Sequence, residues 1–208
     1  MDEKVDPRHY KHRLARREVR RRELAAKTGT LNTLVVRVVD KNNQSTQFSA
    51  ADMVDNIFTD QNCLKSQYAA CSYNKINIQQ AMEDNAKEPG GPNGVIDVHV
   101  DVVAQGSSYS SLQYAAETAT KARFGVTDPK DGHLTDFFDL VMYCQPPGTR
   151  KSSGSTSWLG YSYLNSYRTF FNDVWCKSVT LQMHEVGHNL GLHHSGLPND
   201  TEYSDKTG

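Results

Sequence analysis

The sequence predicts an α/β or α+β sheet domain whose last helix carries the chemically active residues. Three observations predict it. Short apolar runs of strand character alternate with stretches whose apolar residues recur at helical spacing. Clusters of Gly, Pro, Asn and Asp separate them, and a histidine-rich helix follows the last strand.

Taken in order, Arg8–Leu24 is dense in Arg with scattered Leu, Ala and Val, which predicts a solvated helix ended by Thr28-Gly29-Thr30. From Leu31 the β-branched run Leu34, Val35, Val36, Val38, Val39 predicts a buried strand, closed by the polar turn Asp40–Ser45. Ser49 and Asp52 form a capping-box pattern ahead of Met53, Val54, Ile57 and Phe58 at helical spacing, so a short helix follows. Lys75–Gln79 reads as a second strand and Gly90–Gly94 as a turn. Ile96, Val98, Val100 and Val102 alternate with Asp97, His99 and Asp101, the mark of a strand with one wet face. Ser110–Phe124 is an Ala-rich helix with Gly125 where its cap belongs. Phe138–Cys144 is a further strand, Pro146–Ser157 a polar loop, and Trp158–Tyr163 the final strand.

The chain has 208 residues, enough for one buried core with an appended arm. No stretch approaches the roughly 18 consecutive apolar residues of a membrane span. Charge is uneven: residues 1–28 hold ten Lys or Arg against five acids, leaving thirteen against nineteen in the rest. A mildly acidic folded part argues against a nucleic-acid binder. The basic arm has two readings, a charged linker or the end of a pro-segment cut at Arg16-Arg17 or Arg20-Arg21-Arg22.

Cys63, Cys71, Cys144 and Cys176 match neither a C-x-x-C redox pair nor a zinc ribbon. Two disulfides, in any of three connectivities, or four buried thiols are both open. The acceptor triplets Asn43-Gln44-Ser45 and Asn199-Asp200-Thr201 agree with secretion, although the residues after Met1 are charged rather than a signal-like apolar run.

Residues 184–194 read HEVGHNLGLHH behind the run Val179–Met183, with a helix expected through Leu190. On a helix His184 and His188 lie one turn apart, so both imidazoles can reach one ion. Neutral imidazole suits zinc, and two His on one helix need one further protein ligand. Gly191 lets the chain turn back sharply and bring His194 round as that ligand. Three protein nitrogens leave a position for water, the open arrangement of catalytic zinc. Glu185 can flank the metal without binding it and serve as general base. His193, adjacent to the proposed ligand, falls on the rim or behind the ligands, where it would support them without binding the metal.

The pattern HExxHxxGxxH is that of metzincin metallopeptidases, and the sequence resembles the gametolysin family among them. Leu64–Ser72, Tyr143–Thr149, Asn172–Cys176 and Gln182–Glu185 carry further likeness, over about residues 31–208. The resemblance implies a metzincin-like twisted mixed sheet with an active-site helix near its C-terminus. It also implies a secreted zinc endopeptidase acting on extracellular-matrix or cell-wall proteins and glycoproteins. On that reading residues 1–30 are an arm and residues 31–208 the catalytic domain. Metzincins place a methionine turn after the third ligand, whereas no Met follows His194 before Gly208. The expectation is a domain truncated in its lower part, with an inactive zinc-binding fragment as the alternative to a working enzyme.

Overall fold

A computed structural model of the chain describes residues 28–81, 93–127, 133–151 and 153–194. The expected arm helix Arg8–Leu24, most of the turn at 90–94, the Asn199 triplet and the segment after His194 lie outside the described residues.

The run of Val and Leu after Gly29 becomes β1 (Gly29–Val39), the central strand, and six strands form one twisted, mixed sheet. Along one side of β1 lie β2 (Ile76–Gln80), against Gly29–Thr33, and β3 (Val95–His99), against Val35–Val39. Along the other side, β4 (Leu140–Gln145) is followed by β6 (Arg168–Asn172) and then β5 (Gly160–Ser162) at the edge. All pairings are parallel except β5 with β6. Strands β2 and β3 follow one another along the same flank. The Ala81 amide donates to the Thr33 carbonyl (2.9 Å) and the Val35 amide to that of Gly94 (2.8 Å). At Gly94 φ is +76°, and a Cβ there would stand 2.9 Å from the Ala81 nitrogen, so only glycine closes this junction.

A parallel strand covered on both faces reads as an unbroken apolar run, and β1 and β4 do. Their side chains divide by parity. Leu31, Val35, Leu140, Met142 and Cys144 point to one layer, while Leu34, Val36, Val38, Val141 and Tyr143 point to the other. The first layer holds α1 (Ala50–Val54), α2 (Leu64–Cys71) and α4 (Val179–Asn189), through Met53, Leu64, Tyr68 and Val186. The second holds α3 (Tyr109–Arg123), through Leu112 and Ala116. Burial of each Leu, Val or Met side chain among these contributes about 1.5–3 kcal/mol.

The expected capping box at Ser49 is present, with the Asp52 amide donating to Ser49 Oγ (3.1 Å) and the Ser49 amide to Asp52 Oδ2 (2.9 Å). The helix behind it differs from expectation, because after Val54 it widens into a π-helical turn, Asp55–Thr59. Two elements were not anticipated: α2, and β6, which displaces the Trp158–Tyr163 segment from last strand to antiparallel edge strand. The cysteines also depart from both expected patterns. A single bridge joins Cys144, on β4, to Cys176 (Cα–Cα 5.5 Å), while Cys63 is a buried thiol and Cys71 an exposed one. Cys63 and Cys71 flank the same helix, about 12 Å apart by its rise per residue, beyond disulfide reach.

Candidate metal centre

Helix α4 is launched from the turn Asp173–Lys177, which the Cys144–Cys176 bridge ties to the end of β4. Ser178 caps it, its side chain accepting from the Leu181 amide (3.4 Å). Gln182 is fully buried, and its Nε2 donates to Asn56 Oδ1 in the π-helical turn (2.7 Å) and to the Cys176 carbonyl (2.6 Å). One residue on, the Tyr68 hydroxyl donates to the Met183 carbonyl (2.8 Å). Burial pushes the Tyr68 phenol well above its usual range, so it stays a donor at any physiological pH. The helix is therefore held against the sheet before its histidines begin.

At its other end the helix stops in a Schellman motif. The Leu192 amide donates to the Gly187 carbonyl (2.9 Å), the Gly191 amide to the His188 carbonyl (2.9 Å), and Gly191 takes φ +88°. The reversal folds the following residues back beside the last turn.

Three ring nitrogens meet there. His184 Nε2 and His188 Nε2 are 3.1 Å apart, and His194 Nε2 lies 3.1 Å from the first and 3.0 Å from the second. The Leu192 carbonyl can only accept, so the 2.8 Å contact with His188 Nδ1 places that ring's proton on Nδ1 and leaves its Nε2 lone pair facing the other two rings. A closed triangle of Nε2 atoms cannot satisfy itself by hydrogen bonding alone, since each nitrogen either donates one proton or offers one lone pair. A cation resolves the conflict. The separations suit three nitrogens that share one ion at the zinc–nitrogen distance of about 2.0–2.1 Å, and neutral imidazole is the donor type zinc takes. The residues present thus fit a metal ion of that kind.

Glu185 follows the first of these histidines and is only 5% exposed. His193 is exposed and stands outside the triangle. The buried face of α4 is unusually polar, with Gln182, Glu185 and Asn189 at successive turns beside Val186. Gln182 and Asn189 were not singled out in the sequence. Their signal was polar side chains at the spacing of the core-facing stripe, one before the HExxH pattern and one after it.

Leu192, in the reversal, and Tyr163 and Leu164, in the β5–β6 turn that is bonded to the end of α4, are exposed. No helix among the described residues is long and apolar enough to cross a membrane. A family model described as gametolysin peptidase M11 matches residues 34–208, which takes in almost every described element. No curated protein matches the chain.

Proposed function

The chain belongs to the gametolysin peptidase M11 family and is a metallopeptidase, a hydrolase of peptide bonds; from that premise we propose a zinc-dependent endopeptidase with His184, His188 and His194 as ligands and Glu185 as general base. The observation that carries this reading is the triangle of Nε2 atoms 3.0–3.1 Å apart.

Zinc held by the three imidazoles would lower the pKa of a water to about 7 and polarise the scissile carbonyl. Glu185, next to His184, takes a proton from the attacking water as its oxygen bonds to the carbonyl carbon. The same carboxyl then passes that proton to the amide nitrogen as the carbon–nitrogen bond breaks, releasing an acid and an amine. Its low exposure keeps bulk water from competing for that proton.

The substrates we propose are proteins or glycoproteins of extracellular matrix or cell wall, met outside the cell. Support comes from the buried Cys144–Cys176 bridge, which suits an oxidising compartment, and from the exposed Asn43 turn, which leaves its acceptor triplet accessible. The catalytic domain is assigned to residues 31–208, in keeping with a family match that begins at residue 34. Residues 1–30 would then be a basic arm or the end of a pro-segment.

Metal analysis joined to a digest of a protein substrate tests the proposal. One zinc per chain, loss of cleavage with a chelator and its return on adding zinc are expected. Purified protein that takes up no stoichiometric metal overturns it.

A further inference from the structure

We infer that Asn189 is a positioning residue of this metal centre, one that locks the β5–β6 hairpin to the end of α4 and thereby sets where His194 meets the other two rings. The inference rests on the reading of His184, His188 and His194 as metal ligands.

Asn189 is the last residue of α4, adjacent to His188, and fully buried. Its amide nitrogen shares two protons among three acceptors, Ser162 Oγ, the Tyr163 carbonyl (3.2 Å) and the Arg168 carbonyl (3.1 Å). Its amide oxygen accepts from the hydroxyl of Thr169 (3.0 Å), itself fully buried. The two carbonyls can only accept, which settles the orientation of the amide: nitrogen toward them, oxygen toward Thr169. Ser162 and Thr169 are a cross-strand pair, the last one before the hairpin turn. One side chain therefore grips both strands of the hairpin where the turn begins.

The turn is also held from outside. The Asn165 amide donates to the His188 carbonyl (3.0 Å), the same oxygen that accepts from the Gly191 amide. The hairpin tip thus rests on the carbonyl that organises the Schellman motif, and that motif directs the chain to His194. If the Asn189 amide is removed, the Asn165–His188 bond alone joins the hairpin tip to the helix end, the two strands are no longer gripped together, and the third ring loses its fixed height relative to the first two. Only a planar amide supplies both a two-proton donor and an acceptor here. A carboxylate would turn oxygen toward two carbonyls, and an aliphatic side chain would leave them only the Ser166 amide on Tyr163 (3.2 Å) and Ser162 Oγ on Arg168 (3.3 Å).

Two variants test this, Asn189→Ala and the near-isosteric Thr169→Val, which removes the bond to the amide oxygen without a large cavity. Zinc affinity is measured by chelator competition, and the visible spectrum is recorded after cobalt substitution. Loss of a group that orients ligands weakens metal binding by about 10- to 100-fold, so Asn189→Ala should fall in that range, with a smaller loss in Thr169→Val. The cobalt bands should change in both. Apo-protein unfolding serves as the control, because a purely structural role would lower that midpoint and leave the cobalt spectrum of the surviving folded protein as in wild type. If both variants bind zinc within about threefold of wild type and keep its spectrum, the inference is wrong. Should Asn189→Ala not fold, Thr169→Val decides alone. Wild-type protein that binds no metal removes the underlying reading instead, a result distinct from variants that match a metal-binding wild type.

Discussion

The amide of Asn165 and the carbonyl of His188 lie 3.0 Å apart, joining the tip of the β5–β6 hairpin to the last turn of the histidine-bearing helix. This contact makes the candidate centre a product of two elements. The helix presents His184 and His188, and the hairpin braces the turn through which His194 returns.

Gly191 is the pivot of that turn, with φ +88°, and a Cβ added there would stand 2.7 Å from Asn165 Oδ1. Gly191→Ala should therefore cost about 1–3 kcal/mol in urea unfolding, from the left-handed conformation and the clash together. Zinc affinity should fall as well, since His194 is displaced. Asn165→Gly placed in the same chain should recover part of both losses, because it removes the obstructing side chain and tolerates Asn165's own φ of +53°.

Glu185→Gln preserves the shape of a buried side chain and removes its basicity. Zinc content should stay at one per chain while kcat falls by roughly 10²- to 10⁴-fold, the usual contribution of a general base. Steady-state hydrolysis of a quenched peptide, alongside metal analysis of the same samples, checks the pair. Turnover at the wild-type level would remove Glu185 from the mechanism.

His188→Ala takes away the ring at the short distances to both neighbours, so stoichiometric zinc should be lost on dialysis. His193→Ala provides the contrast. That ring is exposed and outside the triangle, and its removal should leave zinc content unchanged.

The Cys144–Cys176 bridge closes a loop of sequence separation 32 at the base of α4. Replacing both cysteines by Ala should lower unfolding free energy by about 3–4 kcal/mol on the chain-entropy account of disulfides. Denaturation of wild type with and without reductant should show a loss of similar size. Cys71→Ser, at an exposed thiol, should change neither curve.

Much of the fold could be read along the chain wherever one local rule acted alone. The β-branched run after Leu31 could only be a covered strand. The Ser49 capping box marked a helix start, and Gly125, at φ +69°, ends α3 where expected. Other elements carried no such mark. Strand β6 is five residues long with Phe170 and Phe171 in adjacent positions, one for each layer, so it shows neither alternation nor helical period. Helix α2 spans eight residues and buries only Leu64 and Tyr68, too short a pattern to stand out.

By itself the sequence determined the chemistry on offer: two histidines one helical turn apart, a carboxylate beside the first, and a glycine free to reverse the chain ahead of a further histidine. Spacing along a regular helix is a local property, and a short-range pattern is enough to express it. The tertiary structure decided what spacing could not reach. It chose Cys144 and Cys176 as the bridged pair, and it set Asn189 and Gln182 as the anchors at either end of α4. It also brought the hairpin tip onto the His188 carbonyl. Those contacts join residues far apart in the chain, and only the packing of the sheet against its helices brings them within bonding distance.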